Sequence, residues 1–335
     1  RKGSGMTRRN ITLLGIGTMM LLLVPLFVAD SYIRHLFIIA FIFAIIASNW
    51  DLSLGYAGLF NFGHLAFFGV GAYTAAIVAR VLEWSPWLGI LLGGVTAALA
   101  AIVIAAPVAR LRGIYVVLVT FAFGQLCLQL VLSQSQITGG AEGIVRIPAL
   151  SLGEYRFNRD FNLAYYYTGF GLLAISTLFL LAVTHSTFGK SLRAVRDNPD
   201  YAAARGISVA RQRVLALTMS AIFTGMAGGF YAVYLRVASP DVFGFATLSL
   251  ALSMLLIGGV GSVIGPILAA LALTFVNESL AGIRGLEDLR FVFVAIAMIL
   301  VLRIAPGGSM EMLSRLIPDR SDTGGTRTSK DHAQR

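Results

Sequence analysis

The chain has 335 residues, of which 57% are hydrophobic and only 13% charged, with a mean hydropathy of +0.81. Soluble domains carry roughly a quarter charged residues, so this balance excludes a soluble enzyme or binding domain and leaves an integral membrane protein. The formal charge of +10 would point to nucleic acid in a soluble chain, but between apolar spans it reads as basic loops that set topology.

Residues 1–5, ahead of Met6, read as an expression remnant, 6–317 as one transmembrane domain, and 318–335 as a polar disordered tail without apolar periodicity. No cleavable leader is evident, because the first apolar run is long enough to stay as an anchor. About ten spans fit, each near the roughly 17–25 residues that cross a bilayer, with one short exception. They fall near 11–29, 35–49, 62–82, 87–109, 114–132, 164–184, 214–235, 247–258, 262–280 and 289–304. The predicted fold class is an all-α polytopic membrane protein. Placing Arg8 and Arg9 on the cytoplasmic side puts Arg110, Arg112, a central basic loop and a basic C-terminal stretch there too, as the positive-inside bias requires. Both termini are then cytoplasmic. Trp84, Trp87 and Tyr165–Tyr167 fall at the opposite ends, where amphipathic rings favour headgroups.

The first informative stretch is Leu54–Tyr73, where Gly55, Gly58, Gly63, Gly69 and Gly71 crowd around Asn61 and His64. Gly69 and Gly71, inside a span, suit close helix packing. Gly55 to Gly63, interrupted by polar residues, suits a broken or re-entrant segment lining a cavity. His64 has no second histidine or carboxylate close by, and is equally a structural histidine or a pathway residue. On the fifth span, Thr120, Gln125 and Gln129 mark one face and either bond a neighbouring helix or line a path. The longest external segment, 133–163, holds Thr138-Gly-Gly-Ala-Glu-Gly143 and reads as an extracellular cap.

The central loop, 186–213, is the most water-compatible internal segment, and six cations from Lys190 to Arg213 outnumber Asp197 and Asp200. Pro199 suits the first turn of a short helix and Gly206 its stop. Gly189-Lys190-Ser191 ends like a phosphate loop, but Thr184 stands where the first glycine belongs and no strand precedes it, so it is not one. A second glycine-rich break, Leu256–Pro266, carries Gly258, Gly259, Gly261, Ser262 and Gly265. Two such breaks in the two halves of a chain point to a midplane pathway and hint at an internal repeat. Cys127 is the only cysteine, so no disulfide forms within the chain, and four scattered histidines give no metal-ligand spacing. Nor does any chain of intramembrane carboxylates and histidines relay protons, and no catalytic constellation is present.

Taken in order, these pieces resemble the permease subunits of ABC importers for branched-chain amino acids and related small amides. The resemblance runs from about Ser48 to Gly308. It rests on Gly55-Tyr-Ala-Gly58, Phe62–Tyr73, Leu111-Arg-Gly-Ile-Tyr115, Thr138-Gly-Gly140, Phe188–Arg196, Ala202-Ala-Ala-Arg-Gly-Ile207, Gly225–Tyr231, Gly258–Pro266 and Pro306-Gly307. It is more similar to the second permease of the usual pair, the one with the larger central loop.

The resemblance implies an ABC importer permease fold that carries a hydrophobic amino acid inward through the bacterial inner membrane. It implies partnership with a homologous permease, two cytoplasmic ATPases and a periplasmic binding protein. ATP and Mg would sit on the ATPases, with no cofactor on this chain and no catalysis by it. The central loop would be the coupling segment, with Arg193, Arg196, Asp197, Asn198, Asp200, Ala202, Ala203 and Gly206 at the ATPase interface. Tyr201 stands where the family's EAA pattern has Glu, with Asp200 one residue earlier. The expected pathway residues are Gly55, Gly58, Asn61, Gly63, His64, Thr120, Gln125, Gly258, Gly259, Gly261, Ser262 and Gly265. Urea or a short amide is an alternative substrate. A transporter or channel acting alone is an alternative class, and it would need a coupling-ion site that the row does not show.

Overall fold

The computed structural model describes residues 19–25, 30–152, 155–157 and 162–281, together with Ile296, Ile299 and Arg303. Of the expected span 11–29, residues 19–25 are helical; the span 289–304, the basic residues Arg8 and Arg9, residues 1–5 and the tail 318–335 fall largely or wholly outside the described residues.

The helices, in chain order, are α1 (Ser31–Asp51), α2 (His64–Ala76), α3 (Pro86–Val108), α4 (Ile114–Ser133), α5 (Leu163–His185), α6 (Thr187–Asp197), α7 (Pro199–Ala204), α8 (Val209–Leu235), α9 (Phe245–Gly258) and α10 (Ile264–Ala281). Among the described residues, six helices are long and apolar enough to cross a membrane, and the two shorter apolar ones are α9 and α10. Local chemistry explains the boundaries. The Asp30 carboxylate accepts the Tyr32 N–H at 2.8 Å and starts α1, while Pro86 opens α3, where its missing N–H costs nothing. α1 does not stop at the expected residue 49. It runs through Asp51 into a wider π turn, Leu52–Tyr56, and α2 likewise ends in a π turn, Ile77–Val81.

Packing follows the glycines. α8 lies against both α2 and α3, and α1 against α5 and α10. At the α2–α3–α8 crossing, a Cβ on Gly71 would strike the Gly225 carbonyl, and one on Gly225 would strike the Gly93 carbonyl and Ala97. Backbones therefore meet directly, as small residues permit in a bilayer where apolar burial alone gives no drive to associate. α1 is buried on almost every side, whereas α4 exposes Tyr115, Leu118, Phe121, Leu126 and Leu130. Such an outward apolar face suits lipid or another apolar helix.

At one end a cap covers the bundle. β1 (Ile144–Val145) pairs antiparallel with β4 (Val237–Ala238), and β2 (Ser151–Leu152) with β3 (Tyr155–Arg156). The aromatic residues here depart from the expected headgroup belt. Tyr165 and Tyr166 are buried, because their hydroxyls find backbone partners: Tyr165 accepts the Leu150 N–H at 3.0 Å and Tyr166 donates to the Leu21 carbonyl at 2.6 Å. Trp87 is pinned to the cap by donating to the Ser151 carbonyl at 3.0 Å, and Trp84 and Tyr167 remain exposed. At the opposite end the 109–113 turn meets the basic loop, with Arg213 donating to the Leu111 carbonyl at 2.8 Å. Two of the four basic segments expected on one side thus share one end of the molecule.

Candidate translocation and coupling site

The two glycine breaks touch each other. Asp51, at the end of α1, is fully buried, and its carboxylate accepts the Gly261 N–H at 2.7 Å from a residue 210 positions away. Gly55 makes this approach possible, since a Cβ there would collide with the Asp51 carboxylate and the Gly261 nitrogen. On the far side of the second break, a Cβ on Gly265 would strike the Gly258 carbonyl, and Ser262 Oγ accepts the Gly265 N–H at 3.1 Å, starting α10. Gly259 and Gly261 both hold positive φ, at 99° and 84°, a region side chains avoid. Gly55, Gly58, Gly258, Gly259, Gly261, Ser262 and Gly265 from the expected pathway thus gather at or beside one junction. Asp51 is the residue that sequence reasoning missed. It stands two positions beyond the expected end of its span, between that span and the first glycine-rich stretch.

The remaining pathway residues lie elsewhere. Thr120 on α4 accepts the Phe62 N–H at 3.1 Å and donates to the Val116 carbonyl at 2.8 Å, while Asn61 accepts the Gly63 N–H at 3.0 Å. These bonds cap the non-helical stretch ahead of α2. Thr120→Val would orphan the partly buried Phe62 donor at a cost of about 1 kcal/mol, so the detergent-solubilised protein should melt a few degrees lower. An unchanged melting curve would show that the cap does not hold the break. His64 packs in the interior at the start of α2. It is fully buried, stacked on Trp50 with centroids 5.4 Å apart, and hydrogen-bonded to Thr224 Oγ1 at 2.9 Å.

Gln125 alone of the expected pathway residues lines a cleft, with Phe62, Leu65, Ala66, Phe121, Gly124 and Phe245 among its neighbours. The cavity is about 20 Å³, the scale of a single water and too small for an amino acid. Gln129, one turn further on, is exposed on the outer face of α4.

The central loop folds as the α6–α7 pair. Ser186 Oγ accepts the Gly189 N–H at 3.3 Å to start α6, and Asn198 Oδ1 accepts the Tyr201 N–H at 2.9 Å to start α7. α6 buries Leu192 and Val195 against the bundle. Its arginines reach back to backbone carbonyls of the bundle, Arg193 half-buried and Arg196 still exposed along part of its side chain, where sequence reasoning had aimed them at a partner's acidic groups. Arg193 donates to the Thr184 carbonyl at 2.8 Å and lies over the Tyr56 ring, and Arg196 donates to the Gly55 carbonyl at 2.7 Å. Arg196 also pairs with Asp197 at 3.0 Å, and Asp200 pairs with Arg112 at 2.9 Å. The second pair is highly exposed and worth little on its own. On α7, Ala202 is buried, whereas Tyr201, Ala203 and Arg205 face outward, Arg205 donating to the Tyr201 hydroxyl at 2.8 Å.

Residues 32–302 match the family described as branched-chain amino acid transport system / permease component. The chain belongs to this family. It is therefore a membrane transport subunit of the ABC permease type rather than an enzyme. Among its relatives is LivM of Escherichia coli K12, the permease of a high-affinity branched-chain amino acid transport system. That protein is 29% identical over 292 residues, covering 81% of this chain and 68% of the relative. LivH of the same strain is 24% identical over 288 residues, covering 79% and 90%. A nucleoside ABC permease of Lactococcus lactis, NupC, is 27% identical over 191 residues, covering 52% and 59%. No solved structure matches the chain.

Proposed function

We propose that this permease carries branched-chain amino acids inward across a bacterial inner membrane, as one of two homologous permease subunits driven by two cytoplasmic ATPases and supplied by a periplasmic binding protein. The observation that carries the reading is the contact between the α6–α7 loop and the base of both glycine breaks, in a chain that matches this family over residues 32–302. A loop that reaches the pathway's broken backbone is placed to open or close it when an ATPase moves the loop. ATP and Mg are held by the ATPases, and this chain binds neither. The basic loop and both termini face the cytoplasm by the positive-inside bias. Gln125 sits among Phe62, Leu65, Ala66, Phe121 and Phe245, and a wider opening between these apolar residues would suit a Leu, Ile or Val side chain. It separates them only weakly, since one methylene is worth roughly 1–3 kcal/mol, and the binding protein sets most of the selectivity.

Co-purification from native membrane followed by reconstitution tests the reading. The expected result is recovery of an ATPase and a second permease, with leucine uptake that needs ATP and the binding protein. A chain that returns alone and transports in liposomes without ATP would overturn it, and uptake of urea or a short amide in place of leucine would correct the substrate.

A further inference from the structure

α6 is tied to the interior by one side chain whose surroundings are unusual. The Arg196 guanidinium donates to the carbonyl of Gly55, the residue whose missing Cβ lets Asp51 reach Gly261. A Cβ on Gly261 would lie 3.3 Å from Arg196 Nη1, and one on Gly58 would lie 2.9 Å from Arg196 Cγ. Three glycines from two distant segments are therefore packed around one arginine of the basic loop. The Asp51 carboxylate beneath them is fully buried, and its Oδ2 has no hydrogen-bond partner. A buried carboxylate is costly unless donors face it, and here the Gly261 amide faces Asp51 while Arg196 is held beside the same junction on the Gly55 carbonyl.

We propose that Asp51 and Arg196 form a latch that clamps the two glycine breaks to each other and to α6, so that displacement of the basic loop moves both breaks as one body. Asp51 holds the second break through the Gly261 amide, and Arg196 holds the first through the Gly55 carbonyl. Both are assigned as positioning residues, since neither lines the cleft beside Gln125. The inference rests on the transport reading above but assigns Arg196 a different duty. The arginine pulls on the pathway from within, and the outward residues of α7 are left to meet the ATPase.

Two measurements test it. In the purified chain, hydrogen exchange reads the latch without any partner. Arg196→Gln should speed amide exchange in 55–61 and 259–263 together by tenfold or more, and Asp51→Ala, which removes the acceptor of the Gly261 amide, should do the same in the second segment. Unchanged exchange in either segment overturns the latch. In the reconstituted assembly, Arg196→Gln should cut uptake per ATP hydrolysed by about tenfold, with Arg196→Lys recovering part of it through its single donor to the Gly55 carbonyl. Gly261→Ala should have a similar effect, and the double variant should be no worse than the poorer single one, as members of one unit behave. Loss of the ATPase from purified Arg196→Gln complexes would mean that the arginine docks directly, and would sink the latch. Uptake without ATP by the unsubstituted assembly would sink the transport reading instead, leaving the exchange result to decide the latch alone.

Discussion

Gly225→Leu should leave little or no folded permease in the membrane. The α8 backbone at this position rests on α3, where a Cβ would meet the Gly93 carbonyl and Ala97, and the Gly225 carbonyl in turn fills the place of a Cβ on Gly71. Three glycines from three helices thus occupy one crossing, and no flexible side-chain end is there to move aside. A single methyl already tests the point. Gly225→Ala improves helix propensity by about 1 kcal/mol, yet forcing the helices apart costs typically about 1–3 kcal/mol, and more where backbone must shift. Its detergent melting temperature should fall, and that of the leucine variant should not be measurable. Gly171 on α5 is the control, because a Cβ there meets nothing within 4 Å. Gly171→Ala should melt at or above the unsubstituted temperature. Equal melting of the Gly225 and Gly171 alanine variants would show that the crossing is not close-packed.

That contrast also marks what a single row of residues can carry. Gly71 announces itself as a glycine inside an apolar run, so close packing of its helix was legible, but that it would meet the Gly225 backbone was not. The eight described spans fall near their expected places, since length and hydropathy dominate in a bilayer. The π turn after Asp51 left no such trace. A helix that continues past an acid and then widens needs the Gly261 amide to satisfy the carboxylate, and that donor comes from the other end of the chain. The two breaks were expected as separate features of a pathway, and only their three-dimensional meeting reveals a junction. Arg193 and Arg196 misled for a related reason. Cations in a basic loop read as solvent- or partner-facing, and the carbonyls of Thr184 and Gly55 that capture them carry no signature in sequence. His64 shows the reverse case: without a second ionisable group nearby a packing role was already one of two readings, and the Trp50 stack and the Thr224 bond are the contacts such a role would use.

Gly206→Pro should abolish ATP-driven uptake while leaving the transmembrane bundle folded. Gly206 follows α7 with φ of 83°, and its N–H donates to the Ala203 carbonyl at 2.9 Å. Proline holds φ near −65° and has no N–H, so it removes both the turn and its bond. The left-handed turn lets the Ile207 N–H reach back to the Ala202 carbonyl at 3.1 Å before Ser208 starts α8, which fixes how α7 is presented. Because a Cβ on Gly206 would meet nothing within 4 Å, Gly206→Ala adds only backbone strain of about 1–2 kcal/mol and Gly206→Asn less still. The expected order of uptake per ATP is therefore Gly, then Asn, then Ala, with Pro at background, while melting temperatures stay close together because the turn lies at the surface. If the proline variant both retained its ATPase and transported normally, the shape of α7 would be irrelevant to coupling. If instead all three variants lost uptake equally, the position would matter for its space in a partner's cleft rather than for its backbone conformation.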